Sequence, residues 1–174
     1  ESPPSAAMQV AARRGSLLHA LFERLPDVAA GEREAAAMRW LTRQAPDLTA
    51  PTRAGIVADA LAVLNDAQWA EVFGAHSLAE VPIAAVVGET VVTGQVDRLL
   101  LLPDRIVVVD FKTGRFVPQG IGEVRVPYIR QMAYYAAALT RIYPGRRVEA
   151  ALLYTNGPRM VTVPDAMLKD YAPK

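Results

Sequence analysis

The sequence contains no cysteine and very little lysine. Without cysteine the chain has no disulfide, thiolate zinc site or cysteine nucleophile, and no thiolates of its own for an iron–sulfur cluster; this fits a reducing compartment. Of its 19 basic residues, the only lysines are Lys112, Lys169 and Lys174, and the last two lie in the C-terminal tail. Lys112 is therefore the one lysine in the body of the chain, which raises the question of whether its chemistry requires lysine.

Long apolar runs and a strong net charge are also missing. No run approaches the roughly 20 residues that span a bilayer, and no signal-peptide pattern opens the sequence. The net charge is +1, with 52% hydrophobic and 21% charged residues, which is typical of a globular chain, and 174 residues suit a single domain. The opening ESPPS resembles a linker. We therefore expect a linker at residues 1–12 and a domain excised from a longer protein.

Hydrophobic periodicity divides the rest into a helical part at 13–75 and a sheet core at 76–165. Thr52 is predicted to cap the third of three N-terminal helices, which are expected at 12–25, 31–44 and 52–65. Three β-rich runs then predict an antiparallel meander, at 78–87, 90–102 and 105–113. An irregular segment at 114–127 precedes a helix at 127–143 and two strands, at 146–156 and 159–164.

The segment VVVDFKTG, residues 107–114, ends a β-prone run with a carboxylate and an ammonium. Asp110 and Lys112 are two residues apart, so both point to the same side of a strand. Asp97 lies near the end of the preceding predicted strand. Mg²⁺ prefers oxygen ligands, and a bound metal stabilises charge on a phosphoryl oxygen. Beside such a metal Lys112 is suited to orient or deprotonate an attacking water, whereas arginine is a fixed fork that does not lose its proton.

Structural interpretations of these residues stand beside the catalytic one. An Asp-X-Lys triplet often marks a strand that exits into solvent, Asp97 and Arg98 fit a surface ion pair, and Glu80 fits a solvated strand end. Between residues 112 and 148 seven basic residues accompany a single acid, Glu123. Such a run is typical of a surface that binds a polyanion or of a solvated basic face, and composition alone does not separate the two.

Five short motifs, taken together and in order, resemble the RecB-like nucleases of the PD-(D/E)xK superfamily. The resemblance spans residues 13–155 and is greatest for the C-terminal nuclease domains of AddA-type subunits of AddAB helicase–nucleases. It implies an α/β, restriction-endonuclease-like fold, in which helices flank a mixed central β-sheet and the N-terminal part is helical. The motifs are HALFERL (19–25), AEVPI (79–83), GQVDRL (94–99), VVVDFKTG (107–114) and QMAYYAAAL (131–139).

The resemblance also implies roles for individual residues. Lys112 matches the catalytic lysine and acts with Asp97 and Asp110. The implied metal ligands are His19, Asp97, Asp110 and the backbone carbonyl of Phe111. Glu80 matches an acid whose role is less certain. The residues expected along the DNA path are Gln131 and Tyr135 of the Gln-x-x-x-Tyr motif, together with Arg125, Arg130 and Tyr128.

The implied function is Mg²⁺-dependent hydrolysis of DNA phosphodiester bonds, with Mn²⁺ as an alternative metal. The expected substrate is a single strand, with the 3′-terminated strand favoured, fed by a helicase during double-strand break repair and recombination. No iron–sulfur cluster is expected, ATP would act only in the absent helicase part, and the expected partner is an AddB-type subunit in the bacterial cytoplasm, acting at the nucleoid. The alternatives are a non-catalytic DNA-binding or interaction module and a stand-alone RecB-like exonuclease.

Overall fold

Three helices form the N-terminal part of the computed structural model, which describes residues 5–174. They are α1 (Ala6–Arg24), α2 (Arg33–Gln44) and α3 (Ala50–Leu64). Short 3₁₀ turns lie at Ala30–Glu32 and Ala67–Phe73. Among the described residues no helix combines the length and the apolar character needed to cross a bilayer.

The first helix begins inside the segment predicted to be a linker. That prediction is wrong for residues 6–12, which form the first two turns of α1; residues 1–4 lie outside the described part of the chain. The hydroxyl of Ser5 accepts a hydrogen bond from the N–H of Met8 at 3.2 Å and so caps the helix. Alanines, the best helix formers, follow at once, so the cap and the local propensity extend the helix toward the N-terminus.

The cap of α3 also differs from the prediction. Thr49, and not Thr52, is the N-cap: its hydroxyl accepts from the N–H of Thr52 at 3.3 Å, and the two hydroxyl oxygens are 2.8 Å apart. Pro51 consequently lies in the first turn, where a missing N–H leaves no helical hydrogen bond unmade. The helix therefore begins two residues before the predicted start.

The second part of the chain is a five-stranded sheet in the order β1-β2-β3-β4-β5. The first three strands form an antiparallel meander, β3 and β4 are parallel, and β4 and β5 are antiparallel, which confirms both the meander and the mixed sheet. Helix α4 (Val126–Ile142) joins β3 to β4, and α5 (Asp165–Asp170) closes the chain. The strands are Ser77–Val87, Thr90–Leu101, Arg105–Lys112, Arg147–Tyr154 and Arg159–Thr162.

Helices cover both faces of this sheet, and each face has its own buried cluster. The α1 layer consists of α1–α3 packed on the face that carries Val107, Val109 and Phe111 of β3. The α4 layer consists of α4 and α5 packed on the face that carries Ile106 and Val108. A central strand buried on both faces reads as a continuous apolar run, which explains the VVV segment. By the same alternation Asp110 and Lys112 are directed to the α4 layer.

Candidate active site

Strands β2 and β3 separate at the position of the two predicted metal-binding aspartates. Their antiparallel register runs from Leu101–Ile106 to Arg98–Val109 and stops there, so Asp97 and Asp110 would form the next pair. Instead of a backbone bond, the Oδ2 atom of Asp97 accepts the N–H of Phe111 at 2.7 Å. The Asp97 carboxylate therefore fills the opening between the strands, where it is 8% exposed.

A break in the side-chain alternation of β2 directs Asp97 to the α1 layer. Val96 and Leu99 both pack in the α4 layer, so the two residues between them share the opposite side. Asp97 contacts His19 of α1, with the Nδ1 and Oδ1 atoms 3.2 Å apart. Arg98 donates from Nη2 to the carbonyl oxygen of Phe22 at 2.7 Å. Two consecutive residues on one side are typical of a local irregularity that aims a side chain at a site.

Arg98 fixes β2 to the end of α1 from a buried position. Its side chain is 4% exposed, its guanidinium carbon lies 5.3 Å from the centre of the Phe73 ring, and burial lowers its pKa. The Nε atom has no hydrogen-bond partner. A buried cation held by a helix carbonyl and an aromatic face is costly to displace. Arg98 is thus a positioning residue, which holds Asp97 against His19.

Glu80 completes the acidic side of the site from β1. It lies opposite Asp97, at the one gap in the β1–β2 register, between the pairs Ala79–Arg98 and Val81–Val96. Its φ of 51° is the only positive φ of a non-glycine residue in residues 5–174. The Gln95 side chain donates to the Glu80 carbonyl oxygen at 3.2 Å and replaces a ladder bond. A left-handed residue inside a strand costs roughly 1–3 kcal/mol and is often found at functional sites.

His19, Glu80 and Asp97 form a donor set that fits a divalent cation. One ligand atom from each lies within 4.8 Å of the others, and an open cleft of about 550 Å³, lined also by Gly15, Glu23 and Thr113, leads to them. Two carboxylates and one imidazole suit Mg²⁺ or Mn²⁺ better than a soft metal. The donor chemistry of these three residues therefore fits a divalent metal ion.

The pKa values of His19 and Glu80 are both shifted in the direction that favours positive charge. Burial alone would lower the pKa of His19, but the hydrogen bond with Asp97 and the charges of Asp97, Asp110 and Glu80 outweigh it, so the pKa is raised. The pKa of Glu80 is raised by burial and by the neighbouring acids Asp97 and Glu23. A carboxyl group whose pKa is raised by neighbouring acids in a confined space favours a cation beside it.

Asp110 and Lys112 form the other half of the site, in the α4 layer. The Nζ atom of Lys112 lies 2.6 Å from Oδ2 of Asp110 and donates to Oε1 of Gln131 at 3.2 Å. Gln131 in turn donates to the hydroxyl of Tyr135 at 3.4 Å. The Lys112 ammonium also lies 3.9 Å from the centre of the Tyr128 ring. A carboxylate, an amide and an aromatic face thus position the lysine from three directions.

The charge of Asp97 in one half of the site shifts the pKa of groups in the other half. Burial raises the pKa of Asp110, Lys112 lowers it, and Asp97 raises it further, with a net upward shift. The pKa of Tyr135 is raised mainly by burial, and the charges of Asp110 and Asp97 add to the shift. Asp97 therefore acts electrostatically on both layers through the opening between β2 and β3.

Gly94 allows Tyr135 to approach the sheet closely. A Cβ atom at this position would lie 2.7 Å from Cε1 and 2.8 Å from the hydroxyl oxygen of Tyr135. No larger residue fits without moving a ring that is hydrogen-bonded to Gln131. In the α1 layer, Gly15 also lies close to another side chain, since a Cβ there would lie 2.8 Å from Oγ1 of Thr113.

The structure brings some of the predicted site residues together and leaves others apart. His19 and Asp97 are in contact, and Glu80, whose role was less certain, joins them. Asp110 pairs with Lys112 and is not part of the three-residue donor set. Metal ligation by Asp110 and by the Phe111 carbonyl stays a prediction.

The predicted DNA-path residues fall into two groups. Tyr128 and Gln131 contact Lys112, and the guanidinium carbon of Arg125 lies 5.6 Å from the centre of the Tyr128 ring. Arg130 lines an open cleft of about 410 Å³ together with Gln131 and Tyr135. Contact of these residues with DNA stays a prediction.

Sequence reasoning missed three residues that position the site. Arg98 was interpreted as half of a surface ion pair, but it is buried against α1. Gly94 and Gly15 were given no role, although their spacing from Asp97 and His19, three and four residues, was visible in the sequence. A glycine in an otherwise β-prone run indicates close approach by another group, and this signal could have identified Gly94.

Comparison with known proteins agrees with this geometry. The family described as PD-(D/E)XK nuclease superfamily matches residues 2–171. An ATP-dependent helicase/nuclease subunit of Streptococcus equi subsp. zooepidemicus is 41% identical over 73 residues, which are 42% of this chain and 6% of that protein. The exonuclease/helicase subunit RexA of Lactococcus lactis subsp. cremoris is 35% identical over 74 residues, again 42% of this chain and 6% of that protein. The chain thus matches only a small part of these relatives.

Proposed function

The chain belongs to the PD-(D/E)XK nuclease superfamily, and on this premise we propose that it hydrolyses phosphodiester bonds of DNA in a reaction that depends on Mg²⁺ or Mn²⁺. The observation that carries the proposal is the opening between β2 and β3. There a donor set of His19, Glu80 and Asp97 meets Lys112, which is held by Asp110 and Gln131. A binding module has no need of a lysine positioned beside a cation site.

His19, Asp97 and Glu80 would hold the metal, with Asp110 as a further ligand from the α4 layer. When bound, the metal supplies electrostatic stabilisation of charge that develops on a phosphoryl oxygen. Asp97 keeps its second oxygen on the N–H of Phe111, so its orientation is fixed before any substrate arrives. Fixed ligands lower the cost of reorganisation during the reaction.

Lys112 would act on the attacking water or on the scissile phosphate. Its ammonium is directed by Asp110, Gln131 and the face of Tyr128, so it presents a compact donor at one point. In the reaction a water oxygen forms a bond to phosphorus while the bond to the leaving oxygen breaks. Lys112 orients that water with a compact ammonium that can lose its proton, a role that does not suit the planar, permanently charged fork of arginine.

The biological setting is proposed from the names of the relatives. We place the chain in a helicase–nuclease that degrades single-stranded DNA during double-strand break repair and recombination in the bacterial cytoplasm. ATP would be used by a helicase part outside these 174 residues, and the partner would be an AddB-type subunit. The 3′-terminated strand is the expected substrate strand.

A cleavage assay tests the proposal. The 174-residue chain should degrade labelled single-stranded DNA when Mg²⁺ or Mn²⁺ is added and should be inactive in EDTA. Lys112→Ala should lower the rate at least about a hundredfold, while metal still raises the melting temperature as in wild type. A wild-type chain that binds DNA and never cuts it would favour the non-catalytic module instead.

Lys112→Arg is the sharper variant because it keeps the charge but loses the compact ammonium. We expect most of the activity to be lost. If Lys112→Arg cuts as fast as wild type, Lys112 supplies only positive charge near the phosphate, and the water-orienting role is wrong.

A further inference from the structure

The loop after β3 displays an aromatic side chain that the candidate active site does not use. Phe116 is 60% exposed and is the one aromatic among the strongly exposed large apolar side chains of residues 5–174. It lies four residues after Lys112, a separation that spans at most about 14 Å of chain. An exposed phenyl ring so close to the candidate catalytic lysine calls for a physical explanation.

The backbone on both sides of Phe116 is anchored. The side-chain amide of Asn156 donates to the carbonyl oxygen of Arg115 at 3.0 Å. On the other side Pro118 is buried, and Val117 packs against the core of the α4 layer. Since the loop is held before and after Phe116, exposure of the ring is a property of the fold and not of a loose segment.

Beyond this anchor, Arg159 donates to the carbonyl and side-chain oxygens of Gln119, at 3.1 and 3.0 Å. The N–H of Gln119 donates to Glu123 at 2.8 Å. The stretch from Arg115 to Glu123 is therefore bonded to the rest of the chain at Arg115 and Gln119 and is closed by an internal bond from Gln119 to Glu123. A rigid loop presents a ring at little cost in conformational entropy on binding.

A positive charge without a partner precedes the ring. Within the described residues the guanidinium of Arg115 forms no ion pair and no hydrogen bond, and the side chain is exposed. By contrast Arg14, on the other wall of the same cleft, is paired with Asp59. Arg115 is thus the cation of this cleft that is available to an anionic ligand.

The cleft beside Arg115 adjoins the cleft of the candidate active site. It has a volume of about 780 Å³ and lies between the start of α1 and the loop, with Ala11 and Thr113 among its walls. The same two residues also line the cleft over His19 and Glu80. The two clefts therefore share a wall, so Arg115 lies next to the cleft over the donor set.

We propose that Arg115 and Phe116 form a nucleotide subsite for single-stranded DNA, in which the ring stacks on a base and the guanidinium binds an adjacent phosphate. The subsite rests on the proposed function, because it receives the strand one or a few nucleotides from the scissile bond. A ring next to a free cation matches a base next to its phosphate, and such stacking tolerates any base. An apolar polypeptide segment as occupant would leave the Arg115 charge unexplained.

Binding to oligo(dT) of about 15 nucleotides, measured by fluorescence anisotropy in EDTA so that nothing is cut, tests the subsite. Phe116→Leu keeps apolar bulk but removes the ring and should weaken binding about fivefold or more, as loss of one stacked base does. Phe116→Tyr should bind like wild type. Arg115→Ala should reduce the slope of log Kd against log salt by about 0.7, one phosphate contact on a single strand. Val86→Ala, at an equally exposed apolar residue near the β1–β2 turn, is the matched control and should change nothing.

Tryptophan fluorescence gives a second readout that does not depend on affinity. Emission of Phe116→Trp, after subtraction of the wild-type signal of Trp40 and Trp69, should be quenched by oligo(dT), and that of Val86→Trp should not. Wild-type affinity of Phe116→Leu together with unquenched emission would overturn the subsite. If wild type still cuts DNA in that case, only the subsite fails; if wild type neither binds nor cuts DNA, the proposed function fails with it.

Discussion

The two halves of the candidate active site lie on opposite faces of one sheet and differ in charge. In the α1 layer, His19, Glu80 and Asp97 concentrate negative charge around a space for a cation. In the α4 layer, Lys112 is a cation already surrounded by a carboxylate, an amide and a ring. The lysine and the acidic cluster thus lie in different layers, and in the proposed reaction the opening beside Asp97 would let both act on one phosphate.

Removing Asp97 should have the largest effect, because this residue contacts the α1 layer and acts electrostatically on the α4 layer. Asp97→Asn should lower the cleavage rate at least about a hundredfold and also abolish the rise in melting temperature that Mg²⁺ or Mn²⁺ causes in wild type. Lys112→Ala should lower the cleavage rate but keep the metal-induced rise in melting temperature. If Asp97→Asn keeps the metal-induced rise, Asp97 is not a ligand, and the division between the two halves is wrong.

Alanine substitutions at Gly94 and Gly15 should change the free energy of unfolding differently in the two halves. Gly94→Ala forces the hydrogen-bonded ring of Tyr135 to move and should cost about 1–3 kcal/mol in the free energy of unfolding, as overpacking does. Gly15→Ala meets only the end of the Thr113 side chain, and alanine gains up to about 1 kcal/mol in helix propensity, so it should be neutral or stabilising. Urea denaturation of both variants measures the difference.

Tyr135→Leu provides the control for this pair. In that background the ring is gone, so Gly94→Ala should cost much less than it does in wild type, and the double-mutant cycle gives the coupling. An unchanged cost would mean that strand propensity, and not the contact with Tyr135, explains the effect of Gly94.

A small change in stability is expected from the charge of Asp110. Its pKa is raised, mainly by burial, so the folded chain binds the proton more tightly than the unfolded chain. The stability from this group is complete below the unfolded pKa near 3.8 and is lost as pH rises through the folded pKa. Asp110→Asn keeps a neutral side chain and should raise the melting temperature of the metal-free chain at pH 7.

The gain in stability of Asp110→Asn should vanish toward pH 4, while this variant should fail to cleave DNA at every pH. Melting curves of wild type and Asp110→Asn in EDTA, recorded from about pH 4 to about pH 8, measure it. A variant that is less stable than wild type at pH 7 would show that the ion pair with Lys112 outweighs the burial of Asp110.

Much of the fold followed from the sequence because local and tertiary preferences agree there. The strands β1 to β3 combine β-branched residues with clear turn signals, so the antiparallel meander was predictable. The start of α1 was missed because Pro and Ser just before it suggested a linker, whereas Ser5 acts as a cap. Such a boundary depends on one hydrogen bond, which composition does not reveal.

The sequence suggested residues for the candidate site but not their arrangement. The motifs identified His19, Asp97, Asp110 and Lys112, yet alternation along ideal strands does not reveal that Asp97 and Arg98 point to the same side. The conformation of Glu80 is equally unpredictable from the sequence, since a left-handed residue in a strand contradicts local preference. Local rules are expected to fail at functional sites, where tertiary contacts impose strained geometry.

The gap in the β1–β2 ladder at Glu80 has a consequence for motion on the timescale of minutes to hours. On either side of it the two long strands are fully paired, so backbone amides there exchange with solvent only when the pairing opens. At the gap a side chain, Gln95, stands in for a ladder bond. Native-state hydrogen exchange should therefore divide the hairpin into two protected blocks, with the outer one, residues 81–96, opening independently of the inner one.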